Sequence, residues 1–488
     1  MPSSRVAFAV RPSPPRVAFA VRPSPPRVAF AVRPSPPRGF VSVLLAVVLT
    51  CSMLAATPAA FGKEVKIKGR GWGHGIGMSQ YGAFGYAQHG WGAKRILQHY
   101  YSGARVRERT IGPDVRVGML QGRSSITILP KVKSSGGGRL VLKVKGKRTK
   151  IAEGVPGDRF RIKASSTGGA RIFKNSKRIK RGGKTIFGDL NHPLVAKFQS
   201  YGTQVATEGK SYAVGFGRIE FVSYSSNGCS VGKCLSEVAV LPMQKYLYGL
   251  GEVPASWPQE TLRAQAIAGR TYAYAKVLSG QSRFPCYCGV YDSTLDQVFV
   301  GEAKRTGSGS YWRNWKKAVN TSKMRVILHN GKPISSLYSS SSGGHTESNS
   351  NVWGTTQVPY LKGVDDPYDA AGGANPNYRW SLRMAWSTLK SRLASGFGSF
   401  GRLKRLRIVR KGVSGRVAVN GLKIVGSDRT LVVDGWDVRV VLGLKDSWFR
   451  FLVLKPTNAR GSLDTSSEGV RDATNDGSVE PSPEESPS

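Results

Sequence analysis

The chain has 488 residues, 40% of them hydrophobic, and a formal net charge of +44. That length and apolar content suffice for two or more domains with real cores. A positive excess of this size excludes an electrostatically neutral setting and implies a polyanionic one: nucleic acid, anionic lipid headgroups or the acidic polymers of a cell wall.

The first 60 residues carry an address rather than a fold. "RVAFAVRPSPP" occurs three times in tandem from Arg5 to Pro37. Each copy is too short and too punctuated by proline to build a packed unit, and reads as an over-long leader or a translation start placed too early. Gly39 to Phe61 is uncharged, follows Arg38 and ends in small residues, with Thr57 and Ala59 at positions that suit cleavage. This is the layout of a secretory signal peptide. An uncleaved anchor is the alternative, since the stretch is long enough to span a membrane. Either puts the body of the protein outside the cytoplasm. Cys51 lacks the preceding small residue of a lipid-attachment site.

Residues 61–104 form the next segment. A short β-type stretch leads into "GRGWGHGIGMSQYGAFGYAQHGWGAKRILQHYYSG", Gly69 to Gly103, a glycine-rich run followed by two short aromatic-rich helical stretches. Such a run can cradle a phosphate in dinucleotide-binding folds, but that use needs an acidic residue about 20 positions on, and Val65 to Arg107 contains none. The expectation is a tight loop over Gly71–Gly77 in which His74 and Gln80 offer polar contacts. Tyr81, Tyr86, Tyr100 and Tyr101 are expected to pack the helices.

Residues 105–235 are basic. "RLVLKVKGKRTKIAEG" and "DRFRIKASSTGGARIFKNSKRIKRGGKTIFG" alternate apolar residues with Lys or Arg, broken by Gly. That is the pattern of half-buried antiparallel strands with a cationic outer face. Aromatics are not interleaved with the basic residues as in single-strand nucleic-acid readers, so no nucleic-acid partner is expected.

Residues 236–455 hold the main helix signal, "SWPQETLRAQAIAGRTYAYAKVLSG". Ser256 and Gln259 predict a capping box, Pro258 suits the first turn, and Gly280 the stop. Leu262, Ala266, Gly269, Ala273 and Val277 fall on one face; most are small, so something packs unusually close to it. Arg263, Gln265 and Arg270 project elsewhere, Arg270 as a cleft hydrogen-bond donor or a buried partner of a carboxylate. "RLKRLRIVRKGVSGRVAVNGLKIVG" and "RTLVVDGWDVRVVLGL" read as strands ending near Leu454. Residues 456–488 form an acidic, Ser- and Pro-rich tail of disordered type. Past the signal stand Cys229, Cys234, Cys286 and Cys288, an even count that favours disulfides in an exported chain. "CSVGKC" could close a small loop, a bond within "CYC" would be strained, and long-range pairings stay open. A metal site with a histidine is the minority alternative.

Four stretches together, "GWGHGIGMSQYGA", "VLPMQKYLYGLGEVPASWPQETLRAQAIAGRTYAYA", "YDSTLDQVFVG" and "YSSSSGGHTESNSNVWGTTQVPYLKGVDDPYD", resemble the stage II sporulation protein D / LytB family, covering most of residues 65–450. The family's usual order places the Gly-Trp-Gly-His motif near the C-terminus; here it opens the body of the chain. The resemblance implies an α+β, β-rich domain with one main active-site helix, joined by the basic antiparallel region. It implies a secreted or anchored, wall-associated lytic transglycosylase that cuts peptidoglycan glycan strands, with Glu252 as the family's catalytic acid. A carboxylic acid that protonates a leaving oxygen needs a pKa raised by burial, and Leu250, Val253, Pro254 and Trp257 make a suitable apolar collar. A bland alternative is a loop glutamate paired with Lys245. A lytic enzyme reuses the same carboxylate as base toward the sugar's own C6 hydroxyl and needs no second carboxylate, unlike most hydrolases. Glu347 is the candidate second carboxylate if the chemistry is hydrolytic.

Substrate contacts are expected from Arg270, Gln265, Ser341, Ser342, Gly343, Gly344, His345, His74, Gln80, Asp292 and Gln297, with Trp353 stacking on a pyranose face. Ordinary turns and caps are the bland readings of Asp292 and the Ser-Gly stretch. No cofactor is expected; zinc enters only because some family members bind it, with Cys286 and Cys288 as the relevant positions. Partners would be glycan strands and anionic wall polymers, the latter facing a cationic rim. The second functional reading is a non-catalytic wall-binding protein that enhances an N-acetylmuramoyl-L-alanine amidase. The third, a polyanion or nucleic-acid binder, rests on charge alone.

Overall fold

The computed structural model describes residues 64–454, apart from 227, 228 and 230–232. The tandem repeats, the signal stretch and the acidic tail lie outside the described residues. The architecture is mixed α+β, with large sheets and several helices.

The alternating basic stretch forms antiparallel strands. In Phe160–Ala164, Phe160, Ile162 and Ala164 are buried while Arg161 and Lys163 are exposed, the period of two that a strand imposes. This strand belongs to a six-stranded sheet centred on Ser125–Val132. A seven-stranded sheet runs from Val290–Tyr291 through Val115–Arg123, Cys234–Leu241 and Arg218–Tyr224 to Lys150–Gly154. One large core is filled from both sheets, for example by Val117, Ile128, Phe160, Ile162, Phe221 and Leu235.

The Gly-Trp-Gly-His segment enters through strand Glu64–Arg70, which lies between Arg379–Ala385 and Phe449–Leu454, antiparallel to both. Glu64 is registered opposite Leu454. Helices α1 (Gln80–Gln88) and α2 (Ala93–Tyr100) follow. Ser79 caps α1 by accepting from the Gly82 N–H at 3.1 Å. Helix α3 (Met243–Tyr248) precedes the longest helix, α4 (Gln259–Leu278). The remaining helices are α5 (Ala303–Gly307), α6 (Trp312–Thr321), α7 (Asn349–Trp353), α8 (Trp386–Phe397) and α9 (Gly435–Leu442).

Helix α4 is a wall shared by two cores. Leu262, Ala266, Ala273 and Val277 join the sheet core, and Ala264, Ile267 and Ala268 join a second core with Tyr86, Ile96, Leu97 and Tyr100 of α1 and α2. Each fully buried Leu or Ile contributes about 1.5–3 kcal/mol of transfer free energy, so the helix is held from two sides. Tyr86, Tyr100 and Tyr101 are buried packing residues.

Two local expectations need correction, and the cysteine pairing left open above is resolved. The helix begins at Gln259 with no side-chain cap, so Ser256 and Gln259 form no capping box. Instead Glu260 of its first turn accepts from the Ala93 N–H at 3.0 Å and caps α2. Gly435–Leu442 within "RTLVVDGWDVRVVLGL" is helical and not a strand. Asp434 stands at its N-cap, Gly443 (φ 70°) takes the left-handed position after it, and Val438 and Leu442 face a third core. Cys286 and Cys288 are disulfide-bonded to each other, as are Cys229 and Cys234. In the "CYC" pair the Cα atoms lie 5.1 Å apart, with Tyr287 between them in the left-handed region (φ 53°).

Candidate functional site at Glu252

The turn after α3 is shaped by glycine. Gly251 N–H donates to the Val298 carbonyl and Val300 N–H to the Gly249 carbonyl, both at 2.8 Å, so residues 249–252 lie alongside 298–300. A Cβ at Gly249 would fall 2.4 Å from Phe299 Cε2 and 3.0 Å from the Gly301 Cα. The small face of α4 receives this turn: a Cβ at Gly269 would stand 3.0 Å from Leu250 Cδ1 and 3.2 Å from Gln297 Nε2.

Glu252 is carried at the end of this turn. Its Oε1 accepts from the Val298 N–H at 2.7 Å and from the Tyr338 hydroxyl at 3.0 Å. Burial pushes the carboxyl's pKa above its ordinary value; hydrogen bonds from Val298, Tyr338 and Gln80, and the charge of Lys304, act the other way. Leu250 and Val253 are buried beside it, Trp257 is half-buried and Pro254 is exposed. A groove of about 420 Å³ opens here, lined by Glu252, Ser256, Val300, Lys304 and Tyr311 among others. Lys304 is itself buried, donates to the Val253 carbonyl, and has its pKa lowered by desolvation to about 8. Lys245 is not the partner of Glu252; its ammonium lies over the rings of Phe216 and Tyr248.

Tyr338 is the joint of the site. Tyr338–Ser339 pairs in parallel with Met78–Ser79, which sets the Ser-Gly turn beside the Gly-Trp-Gly-His loop. The Tyr338 hydroxyl also accepts from Gln297 Nε2 at 2.7 Å, and Gln297 Oε1 accepts from the Tyr246 hydroxyl at 2.8 Å. At the other end of Tyr338 its carbonyl bonds the ring of His74. His74 Nδ1 accepts from the Ile76 N–H at 2.9 Å. Burial, then Arg439 and Arg416, lower its pKa to about 4, so the imidazole is neutral at pH 7. Gln80 Nε2 donates to Gln265 Oε1 at 3.3 Å. Glu252, Gln80, Gln265 and Gln297 thus converge around Tyr338, from two turns, α1 and α4, and no single helix is set apart as the active-site helix.

Other expected site residues lie elsewhere. Arg270 is fully buried and neither faces a cleft nor meets a carboxylate; it donates to the Val319 and Arg325 carbonyls, Gln244 Oε1 and Ser322 Oγ. Ser341 and Ser342 are buried, donating to Asp369 Oδ2 and Asp366 Oδ2 at 2.7 Å each, which leaves their hydroxyls no free face for a sugar. Gly343 and Gly344 have φ of 75° and 114°; a Cβ on Gly343 would strike Arg70. His345 is half-buried with Nε2 3.5 Å from Asp365. Asp292 is bound by Lys210 at 2.6 Å and the Tyr212 hydroxyl at 2.5 Å. Trp353 is 38% exposed, and its ring meets His74 edge-on at 5.6 Å.

Glu347 is fully buried. It accepts from the N–H groups of Ser348, Val413 and Ser414, from Asn351 Nδ2 and from the Ser414 hydroxyl, so it fastens the 412–416 loop and faces no groove. Cys286 and Cys288 are taken up by their disulfide, and among the described residues no cluster of three or more His, Cys, Asp or Glu could hold a metal. Tyr338 and Lys304 were not singled out from the sequence. Tyr338 opens a quoted motif, but its contact to Glu252 depends on a strand pairing between distant segments, for which there is no local signal.

A family model described as "Stage II sporulation protein" (SpoIID) matches residues 232–329. Over 141 residues the chain is 36% identical to the amidase enhancer of Bacillus subtilis (strain 168), an overlap of 29% of this chain and 17% of that protein. It is 32% identical over 147 residues to stage II sporulation protein D of the same organism, covering 28% and 42% of the two chains. It is 26% identical over 220 residues to stage II sporulation protein D of Bacillus amyloliquefaciens, covering 43% and 60%. The chain therefore spans between 17% and 60% of the length of these relatives.

Proposed function

Taking as premise that residues 232–329 are homologous to the stage II sporulation protein D family, we propose that this chain is a secreted, wall-associated protein that binds peptidoglycan glycan strands in the groove at Glu252 and enhances an amidase. The support is the identity shared with a relative named for amidase enhancement, together with the family-model match over residues 232–329, which carry the groove. This reverses the order of the first two readings: the comparisons favour the enhancer over the enzyme.

One observation favours the catalytic reading as a second: the Glu252 carboxyl is desolvated, its pKa raised, and it stands at an open groove. In that reading the protonated carboxyl gives its proton to the oxygen joining two sugars as the C1–O bond breaks. The carboxylate left behind is held by the Val298 N–H and the Tyr338 hydroxyl. It then removes the proton from the C6 hydroxyl of the same sugar, whose oxygen closes on C1 as an anhydro end. The acid is regenerated and no water is consumed. Lys304, Gln80 and Gln297 position these groups; no second carboxylate enters.

Two assays on the wild type and the Glu252→Gln variant separate the readings. In the first, purified glycan strands are incubated and analysed by mass spectrometry; the catalytic reading requires products one water lighter than hydrolytic ones, lost in the variant. In the second, amidase turnover on intact sacculi is measured; the enhancer reading requires stimulation that survives the substitution. Absence of glycan cleavage and of stimulation in both proteins would refute both readings.

A further inference from the structure

The segment that carries Glu252 borders a second cavity. Along residues 299–301, Val300 lines the Glu252 groove, whereas Phe299 and Gly301 line a separate pocket of about 230 Å³, the chain turning at Gly301 (φ 50°). Helix α5 divides in the same manner: Lys304 belongs to the groove and Arg305 to the pocket.

Four cations converge on this pocket, Lys133, Lys245, Arg305 and Lys316, against one carboxylate, Glu302. Glu302 is taken by Lys133 at 2.9 Å and Arg305 at 2.8 Å. Lys245 and Lys316 have no ion-pair partner among the described residues. Lys245 is half-buried, and its pKa is depressed first by desolvation and then by the charges of Lys133 and Lys316. Gathering like charges in a partly desolvated recess is costly unless an anion neutralises them. The aromatic walls are already used by cations: Lys133 lies 3.4 Å and Lys245 4.5 Å from the Phe216 ring centroid, and Lys245 5.2 Å from that of Tyr248. Faces covered in this way leave little room to stack a nucleobase.

We propose that this pocket is an anion subsite for a phosphodiester-linked wall polymer, one phosphate seating among Lys133, Lys245, Arg305 and Lys316 next to the glycan groove. An excess of three positive charges suits a chain of repeated anions better than one carboxylate, and exposed Lys316 carries the positive surface outward from the recess. The assignment rests on the cell-wall reading for the source of the polymer and on no role of Glu252.

The test is calorimetric titration of the full chain with a poly(glycerol phosphate) oligomer at ~0.15 M ionic strength. Lys245→Gln/Lys316→Gln should weaken binding about tenfold or more, while Lys131→Gln/Lys163→Gln, which removes equal charge from exposed strand positions, should change it less than about twofold. Lys316→Gln alone, on an exposed side chain, should give a smaller loss in the same direction and guards against misfolding of the double variant. Glu252→Gln should bind as the wild type, so this inference can survive failure of the catalytic reading. Equal losses in the two double variants would overturn it. So would an oligoglutamate or a single-stranded oligonucleotide of matched charge whose binding depended equally on Lys245 and Lys316.

Discussion

Glu252 and Glu347 are both glutamates in turns expected to face a substrate, and they have opposite surroundings. Glu347 has five donors on its two oxygens and no exposure. Glu252 has a backbone N–H and a tyrosine hydroxyl on Oε1, a bond from Gln80, and a groove in front of it. A carboxylate saturated with donors is fixed in place, which suits fastening a loop. One that is desolvated but sparsely bonded keeps its proton readily, which suits donating it.

The largest effect should come from breaking the saturated site. Glu347→Ala strands five donors, and a loss of about 3 kcal/mol or more is expected, read from denaturant midpoints. Glu252→Gln should cost almost nothing or stabilise slightly, because it removes a desolvated acid. A comparable loss in both would erase the contrast.

Gly249→Ala sharpens it from the backbone side. The added methyl has to displace Phe299 or Gly301, and about 1–3 kcal/mol of stability should be lost, together with glycan binding if the Glu252 turn shifts. An unchanged melting temperature would show that the turn yields.

The buried acid Asp366 supplies a pH test. Desolvation, then the charge of Asp369, raises its pKa to about 8. The folded state therefore binds more protons than the unfolded chain between the ordinary aspartate range and pH 8, and stability should fall as pH rises through that window. Asp366→Asn should flatten this part of the stability profile. An unaltered slope would mean that Asp366 is ionised in the fold.

The smallest expected effect concerns Tyr338. Its hydrogen bond lowers the Glu252 pKa, so Tyr338→Phe should raise it further. If Glu252 is a general acid, the alkaline limb of glycan cleavage moves to higher pH. A limb that stays in place would detach Tyr338 from the chemistry.

The Gly-Trp-Gly-His motif fits the same physical picture. Its strand, Glu64–Arg70, is bonded between two strands from the far end of the chain. What positions His74 and Gln80 is that sheet and the parallel pairing with Tyr338–Ser339, and neither depends on where in the chain order the segment is written.

Local periodicity was enough to read the amphipathic basic strands and the small face of α4 from the residues alone, because each is a property of neighbours in the chain; the disulfide-bearing character of the cysteines came from their even count. It misread Gly435–Leu442, whose valines suit a strand, since Asp434, Gly443 and the third core outweigh a propensity worth a few tenths of a kcal/mol per residue. Motif resemblance singled out Glu252, but which carboxyl is desolvated and which saturated was settled by contacts between segments far apart. Ser342 N–H meets Ser79 Oγ across 263 residues and Tyr338 meets Glu252 across 86. Burial and hydrogen-bond count belong to the folded surroundings of a side chain, so only the tertiary structure could separate two glutamates that look alike in one dimension.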